Sequence, residues 1–318
     1  RDYYASRGLG DVYKRQLSVI GCGTKDTKEQ DAYRQYGITC MESGKYEDAV
    51  KAFQNALGES IGHIGEKELD ICFYKAKAQA LDGKTKDALA TYNAIIKYNK
   101  DARAYYLRGD LYMDMGEEKK GRADFESAVQ QGKKNYEIYI GIYESLSRHE
   151  KKDEGQKYLS AAMEIKGDKP EDELYKGRIS YLLGENKDAI SYLEKAKEHK
   201  QMLASYYLGL AYDANGDSDK AKKCIAEYIK SGVATSYDLY ELGMQEMQDG
   251  NYKNALTYFN SGLELEKVPN KQNLMKSAIA AYEYSGDFDS AKKMMKEYLK
   301  AYPDDEEAKH ENTFLETR

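Results

Sequence analysis

Gly250–Phe259 reads GNYKNALTYF, and Gly44–Phe53, far earlier in the chain, reads GKYEDAVKAF. Six further segments fall into the same register: GKTKDALATY from Gly83, GEEKKGRADF from Gly116, EKKDEGQKYL from Glu150, GENKDAISYL from Gly184, GDSDKAKKCI from Gly216 and GDFDSAKKMM from Gly286. Successive starts lie 32 to 39 residues apart. That interval suits a helix-turn-helix unit repeated end to end, and no β-rich or α/β pattern produces it.

Each unit carries its own packing code. The opening glycine, replaced only at Glu150, stands where one helix stops and the chain must turn without a β-carbon clash. Five residues on comes a small side chain: Ala49, Ala88, Gly121, Gly155, Ala189, Ala221, Ala255 and Ala291. Four further on, one helical turn along the same face, comes a large apolar one: Phe53, Tyr92, Phe125, Leu159, Leu193, Ile225, Phe259 and Met295. The helix before the turn has a small residue seven positions upstream, at Gly37, Ala76, Gly109, Gly177, Gly209 and Gly243, so two helices can approach closely. Tyr143 and Ile279 break that rule, which makes the fourth and eighth units the exceptions. Pro170, Pro269 and Pro303 all fall between units, where a fixed φ does no harm.

This pattern of small and aromatic positions resembles the tetratricopeptide-repeat (TPR) family over residues 30–305. The resemblance implies an all-α fold, an α-solenoid of about eight TPR helix-turn-helix repeats forming a right-handed superhelix, with the first helix of each repeat lining a concave groove. Residues 304–318, DDEEAKHENTFLETR, follow the last proline and read as a C-terminal capping helix whose Phe314 and Leu315 cover the final repeat.

Composition narrows the function. A charged fraction of 33% suits long helices with wet outer faces, and a formal net charge of −6 argues against a surface for nucleic acid. Tryptophan is absent while tyrosine reaches 31, so amphipathic rings must supply much of the packing or of the binding surface. Cys22, Cys40, Cys72 and Cys224 form no C-x-x-C pair, and His63, His149, His199 and His310 occur singly, read as surface histidines. Gly21 and Gly23 lack the third glycine and the βα unit of a nucleotide-binding turn. No catalytic residue, metal or cofactor is expected, and the chain reads as a non-enzymatic scaffold.

The N-terminus reads differently. Residues 1–16, RDYYASRGLGDVYKRQ, have no helical apolar period and resemble translated adapter sequence; an expression scar or an unstructured tail is the plainer alternative. Residues 17–31 then pass from a short apolar run into a polar stretch, and Val19-Ile20-Gly21-Cys22 resembles a bacterial lipobox. That resemblance implies cleavage before Cys22, acylation of its thiol, and a tether running to Asp31. The basic and long apolar parts of a signal peptide are missing, so a buried thiol is the alternative reading of Cys22.

The repeat register also points to a binding surface. In the family, residues ten, six and three positions before the turn of each first helix point inward. Tyr206, Leu210, Tyr240, Met244 and Met247 of repeats six and seven fall at such positions, and with Leu203 and Tyr237, three residues earlier on the same helices, would gather on one concave surface able to grip an apolar protein segment or peptide. Packing against the next repeat is the competing reading for these side chains. Arg103, Arg148 and Arg178 could add a basic stripe, with solvated charge as the alternative. The carboxylate clamp of chaperone-binding members is absent, since the matching places hold Arg34 with Ile38, Phe73 with Lys77, and Tyr106 with Asp110. The expectation is a lipid-anchored, extracytoplasmic scaffold at a bacterial membrane. The alternatives are a soluble cytoplasmic adaptor, or a glycan-binding or enzymatic lipoprotein that uses the repeats as its body.

Overall fold

The computed structural model describes residues 28–60, 64–167 and 169–318. Residues 1–16, Cys22 and the tether through residue 27 lie outside the described residues, as does His63. Among the described residues there are seventeen α-helices and no strand. The first four hairpins are α1 (Lys28–Glu42) with α2 (Tyr46–Gly58), α3 (Glu66–Leu81) with α4 (Thr85–Asn99), α5 (Ala102–Asp114) with α6 (Glu118–Gln131), and α7 (Tyr136–Arg148) with α8 (Lys152–Met163). The next four are α9 (Pro170–Leu183) with α10 (Asn186–Glu198), α11 (Leu203–Ala214) with α12 (Ser218–Lys230), α13 (Ser236–Gln248) with α14 (Tyr252–Leu263), and α15 (Lys271–Tyr284) with α16 (Phe288–Ala301). A final helix, α17 (Glu306–Glu316), follows Pro303.

Two compact units divide the chain, one ending at Glu227 and the other running from Tyr228 to Arg318, with the boundary inside α12. Within each, helices pack on their sequence neighbours, so each unit is an all-α solenoid. The first helices of successive repeats also touch: α1 with α3, α5 with α7 and α9 with α11 in the first unit, α13 with α15 in the second. No pair of successive second helices from α2 to α10 packs as closely as these first-helix pairs, although α3 with α5 and α7 with α9 are themselves looser.

The turns explain the glycines. Gly44, Gly83, Gly116, Gly184, Gly216, Gly250 and Gly286 all take a left-handed φ between 70° and 85°. Each is closed by the same long backbone hydrogen bond, as from Lys45 N–H to the Cys40 carbonyl (2.8 Å) and from Asn251 N–H to the Glu246 carbonyl (2.8 Å). That bond satisfies a carbonyl the helix end would otherwise leave orphaned. At the fourth repeat the same geometry survives without glycine: Glu150 takes φ 61°, and Lys151 N–H still reaches the Leu146 carbonyl at 2.8 Å. Helix starts are capped by short polar side chains at Asp101, Asn135, Thr235, Asp287 and Asp305, and Pro170 opens α9 at the position where no amide proton is needed.

The small and large positions of the code meet inside each hairpin. A β-carbon on Gly37 would stand 2.6 Å from the Phe53 ring, on Gly109 2.9 Å from Phe125, on Gly177 2.4 Å from Leu193, on Gly209 2.4 Å from Ile225, and on Gly243 2.3 Å from Phe259. The exceptional fourth repeat keeps Gly155 and Leu159 at the small and large positions of its second helix and adds a large residue, Tyr143, on its first; a β-carbon on Gly155 would be 3.0 Å from the tyrosine ring. In the eighth repeat Ile279 is buried with Ala291, Met295 and Tyr298. Both exceptional repeats therefore form.

The expectation for the cap needs one correction. Leu315 is fully buried on the last hairpin, but Phe314 is 46% exposed, with the Arg318 guanidinium 4.9 Å from its ring centre, because adjacent residues of a helix face different sides and cannot both cover one surface.

Candidate binding face

The first-helix layer of the first unit is charged, but its charges are matched within the layer. Arg34 of α1 binds Asp70 of α3 at 2.6–2.7 Å and lies 5.3 Å above the Tyr74 ring. Arg148, at the end of α7, pairs with Asp110 of α5. Arg178 of α9 reaches back to Glu144 (2.9 Å) and Glu137 (3.3 Å) of α7, with its guanidinium 5.6 Å from the Tyr207 ring of α11. Arg103 is held by the Asp101 carboxylate at the start of its own helix (2.7 Å) and covers the Phe73 ring at 4.7 Å. The basic stripe considered from the sequence is thus replaced by neutralised pairs: Arg148 and Arg178 meet carboxylates of the preceding repeat once the repeats stack, and Arg103 meets Asp101 two residues away. Burial opposes ionisation of Asp70 and raises its pKa, with the Arg34 charge acting against that shift.

Lys77 is different. It sits on α3 at the inward position six residues before the turn, is half-buried, and has no hydrogen-bond or ion-pair partner among the described residues. Burial alone pushes its ammonium down to about 8.

Tyr106, also at an inward position, lies on the backbone of the next first helix: a β-carbon on Gly141 of α7 would be 2.6 Å from Cζ of that ring. Sequence reasoning did not single out Gly141. Its only signal was a glycine in the middle of an otherwise apolar helix, YEIYIGIYESL.

The seven residues read from the sequence as one patch belong to different units. Leu203, Tyr206 and Leu210 lie on α11 in the first, and Tyr237, Tyr240, Met244 and Met247 on α13 in the second. Tyr206 requires a correction. It is 1% exposed, edge-on to Tyr207 with ring centres 5.1 Å apart, so its ring is part of the core and offers no face to a partner. Leu203 and Leu210 keep partial exposure. Tyr240, Met244 and Met247 rest on the core formed by Ala255, Phe259, Leu274, Ala278 and Ala281, with Tyr240 tilted over Phe259 at 6.1 Å. The Met244 sulfur accepts a hydrogen bond from the Ser277 hydroxyl at 3.6 Å. These three and Tyr237 are half-buried; Tyr240 packs within its own hairpin, and Met244 also reaches the next repeat. On the same unit Tyr284, at the end of α15, is 68% exposed and stacked on Tyr252 at 5.3 Å.

One group lies outside every expectation from the sequence. His149, read as a lone surface histidine, has Nε2 3.0 Å from a carboxylate oxygen of Asp114, with Asp110 one turn earlier on α5 beside it.

Paired helices at this period, glycine turns and small-on-large packing now stand together with sequence comparison. Two tetratricopeptide-repeat profiles match, one over residues 37–96 and 75–136 and the other over 203–231 and 272–305, together more than half of the sequence. The chain belongs to the tetratricopeptide-repeat family. Among solved structures, this TPR chain is similar to a tetratricopeptide repeat protein from Parabacteroides merdae, at 12% identity and a TM-score of 0.47, over 80% of this chain and 99% of that one. It is also similar to a chain of the APC/C hetero-tetramer Cut9-Hcn1, at 15% identity and a TM-score of 0.45, over 99% of this chain and 63% of that one. A third likeness is to PilW, a type IV pilus biogenesis factor, at 17% identity and a TM-score of 0.43, over 66% and 97%. No curated protein matches the chain. As a TPR protein it has the architecture of a scaffold for protein–protein interaction.

Proposed function

We propose that this TPR protein is a non-enzymatic scaffold that holds a segment of a protein partner against its first-helix layer, with an acidic group of that segment seated at Lys77. The unpartnered Lys77 ammonium carries the reading. A half-buried cation with no counter-ion is destabilised where it stands, and a partner's carboxylate would supply the missing charge. The neighbouring arginines cannot compete for that carboxylate without breaking their own pairs. A photo-crosslinking residue at exposed Leu81, one helical turn from Lys77 on α3, is expected to trap a partner in native membranes and to lose it in Lys77→Met, and one at Lys97, on the second helix α4, is not. Equal yields from both positions would overturn the assignment of the face.

The same proposal places the scaffold at the extracytoplasmic side of a bacterial membrane through acyl chains on Cys22. The lipobox-like Val19-Ile20-Gly21-Cys22 and the polar stretch after it support this reading. Each buried CH₂ would contribute about 0.8 kcal/mol, so two or more chains anchor stably. Metabolic labelling with a palmitate analogue is expected to mark the wild type and not Cys22→Ala; equal labelling would remove the anchor from the proposal.

A further inference from the structure

We propose that Asp110, Asp114 and His149 form a binding site for a first-row divalent cation of the Zn²⁺ class at the junction of the third and fourth repeats. Each residue offers one ligand atom, and these atoms all lie within 4.8 Å of one another. His149 Nε2 is already 3.0 Å from a carboxylate oxygen of Asp114. Ligands of a tetrahedral ion are separated by roughly 3.4 Å when each bond is about 2.0–2.2 Å, so modest side-chain rotations bring the three atoms to that spacing.

The fold builds this arrangement from two different helices. Asp110 and Asp114 are spaced i and i+4 on α5, which puts both carboxylates on one face. His149 is the C-cap of α7, the helix packed beside α5. Asp114 is the last residue of α5, so the carboxyl-terminal ends of both helices converge on the cluster. Each end carries a partial negative charge of roughly half an electron, which favours a cation there.

The ligand chemistry selects the class of ion. An imidazole with two carboxylates suits Zn²⁺ and its first-row neighbours better than Mg²⁺ or Ca²⁺, which prefer all-oxygen shells. Arg148 donates to one oxygen of Asp110, which orients that carboxylate and leaves its second oxygen for the metal, the role an outer-shell hydrogen bond has in metal sites. It also offsets one of the two carboxylate charges. Three protein ligands leave the remaining position to water on the exposed side of Asp114.

Isothermal titration of the full chain with Zn²⁺ tests the site, with Co²⁺ as a second probe whose visible spectrum separates nitrogen and oxygen ligation from thiolate. The expected result is one ion per chain, with affinity reduced at least about tenfold in both His149→Ala and Asp114→Asn. Circular dichroism of each variant should match the wild type, because Asp114 is exposed and half-buried His149 belongs to none of the apolar cores of the repeats. A stoichiometry well below one, a thiolate spectrum, or unchanged affinity in His149→Ala would overturn the site and leave a plain histidine–aspartate hydrogen bond.

Discussion

Tyr143 of α7 lies across Gly155 of α8, so close that a β-carbon on Gly155 would stand 3.0 Å from the tyrosine ring carbon Cδ2. In five other repeats the glycine is on the first helix and the large residue on the second. The fourth repeat has a large residue on its first helix as well, and the glycine at the small position of its second helix makes room for that ring, so a large side chain on either helix is met by a glycine across from it.

Gly155→Ala is expected to destabilise the protein by about 1–3 kcal/mol through overpacking. In a Tyr143→Ala background the same change should cost less, since the ring contact is gone, but the Cα and carbonyl oxygen of residue 143, each 3.2 Å from the added β-carbon, keep part of the penalty. Urea denaturation of the double-mutant cycle measures the coupling; strictly additive effects would contradict the contact. Gly243→Ala, with its β-carbon 2.3 Å from Phe259, should be at least as harmful.

Glu150 holds a left-handed φ of 61° where seven other repeats have glycine. Glu150→Gly is expected to raise stability by up to about 1 kcal/mol, as relief of backbone strain of about 1–2 kcal/mol is partly offset by the greater freedom of glycine in the unfolded chain. Gly116→Ala, at φ 74°, should act in the opposite direction. Thermal melts of the two variants check the sign.

Arg178 bridges Glu137 and Glu144 from the next repeat, with side-chain exposures of 10%, 17% and 18%. Arg178→Met leaves two carboxylates facing each other in a poorly hydrated place and is expected to cost about 3 kcal/mol. Arg178→Lys should recover only part, because an ammonium cannot span both partners as the planar guanidinium does. Chemical denaturation followed by circular dichroism is the measurement.

Lys77 gives a pH dependence with a definite sign. Its folded-state pKa is lowered to about 8 against an ordinary 10.5, so between those values the unfolded chain binds more protons and stability rises with pH. Below pH 8 both states carry the proton and the penalty is fully present, about 1–3 kcal/mol after allowance for the water that still reaches the group. Lys77→Met should therefore be the more stable protein at pH 7, by a margin that shrinks toward pH 10.5. A margin constant across that range would show that the lysine is not desolvated. Capture of an acidic partner segment should weaken as pH rises above 8.

The repeat was legible in the sequence because its determinants are local and recur. A turn glycine, a small residue five positions on and a large one four further act within a single hairpin, so Gly250, Ala255 and Phe259 could be read without knowing what else touches them. The proline positions and the helix caps belong to the same class. What no spacing could reveal lies between repeats. Arg34 and Asp70, Asp110 and Arg148, and Arg178 and Glu137 are 36, 38 and 41 residues apart, and only the stacking of one first helix on the next brings each pair together. Stacking also decided that Tyr206 is core rather than surface, and that His149 has two aspartates beside it. Sequence determined the hairpin because hairpin packing is a short-range matter of volume and backbone angle; tertiary structure decided the chemistry of the face because charge and exposure depend on neighbours a full repeat away.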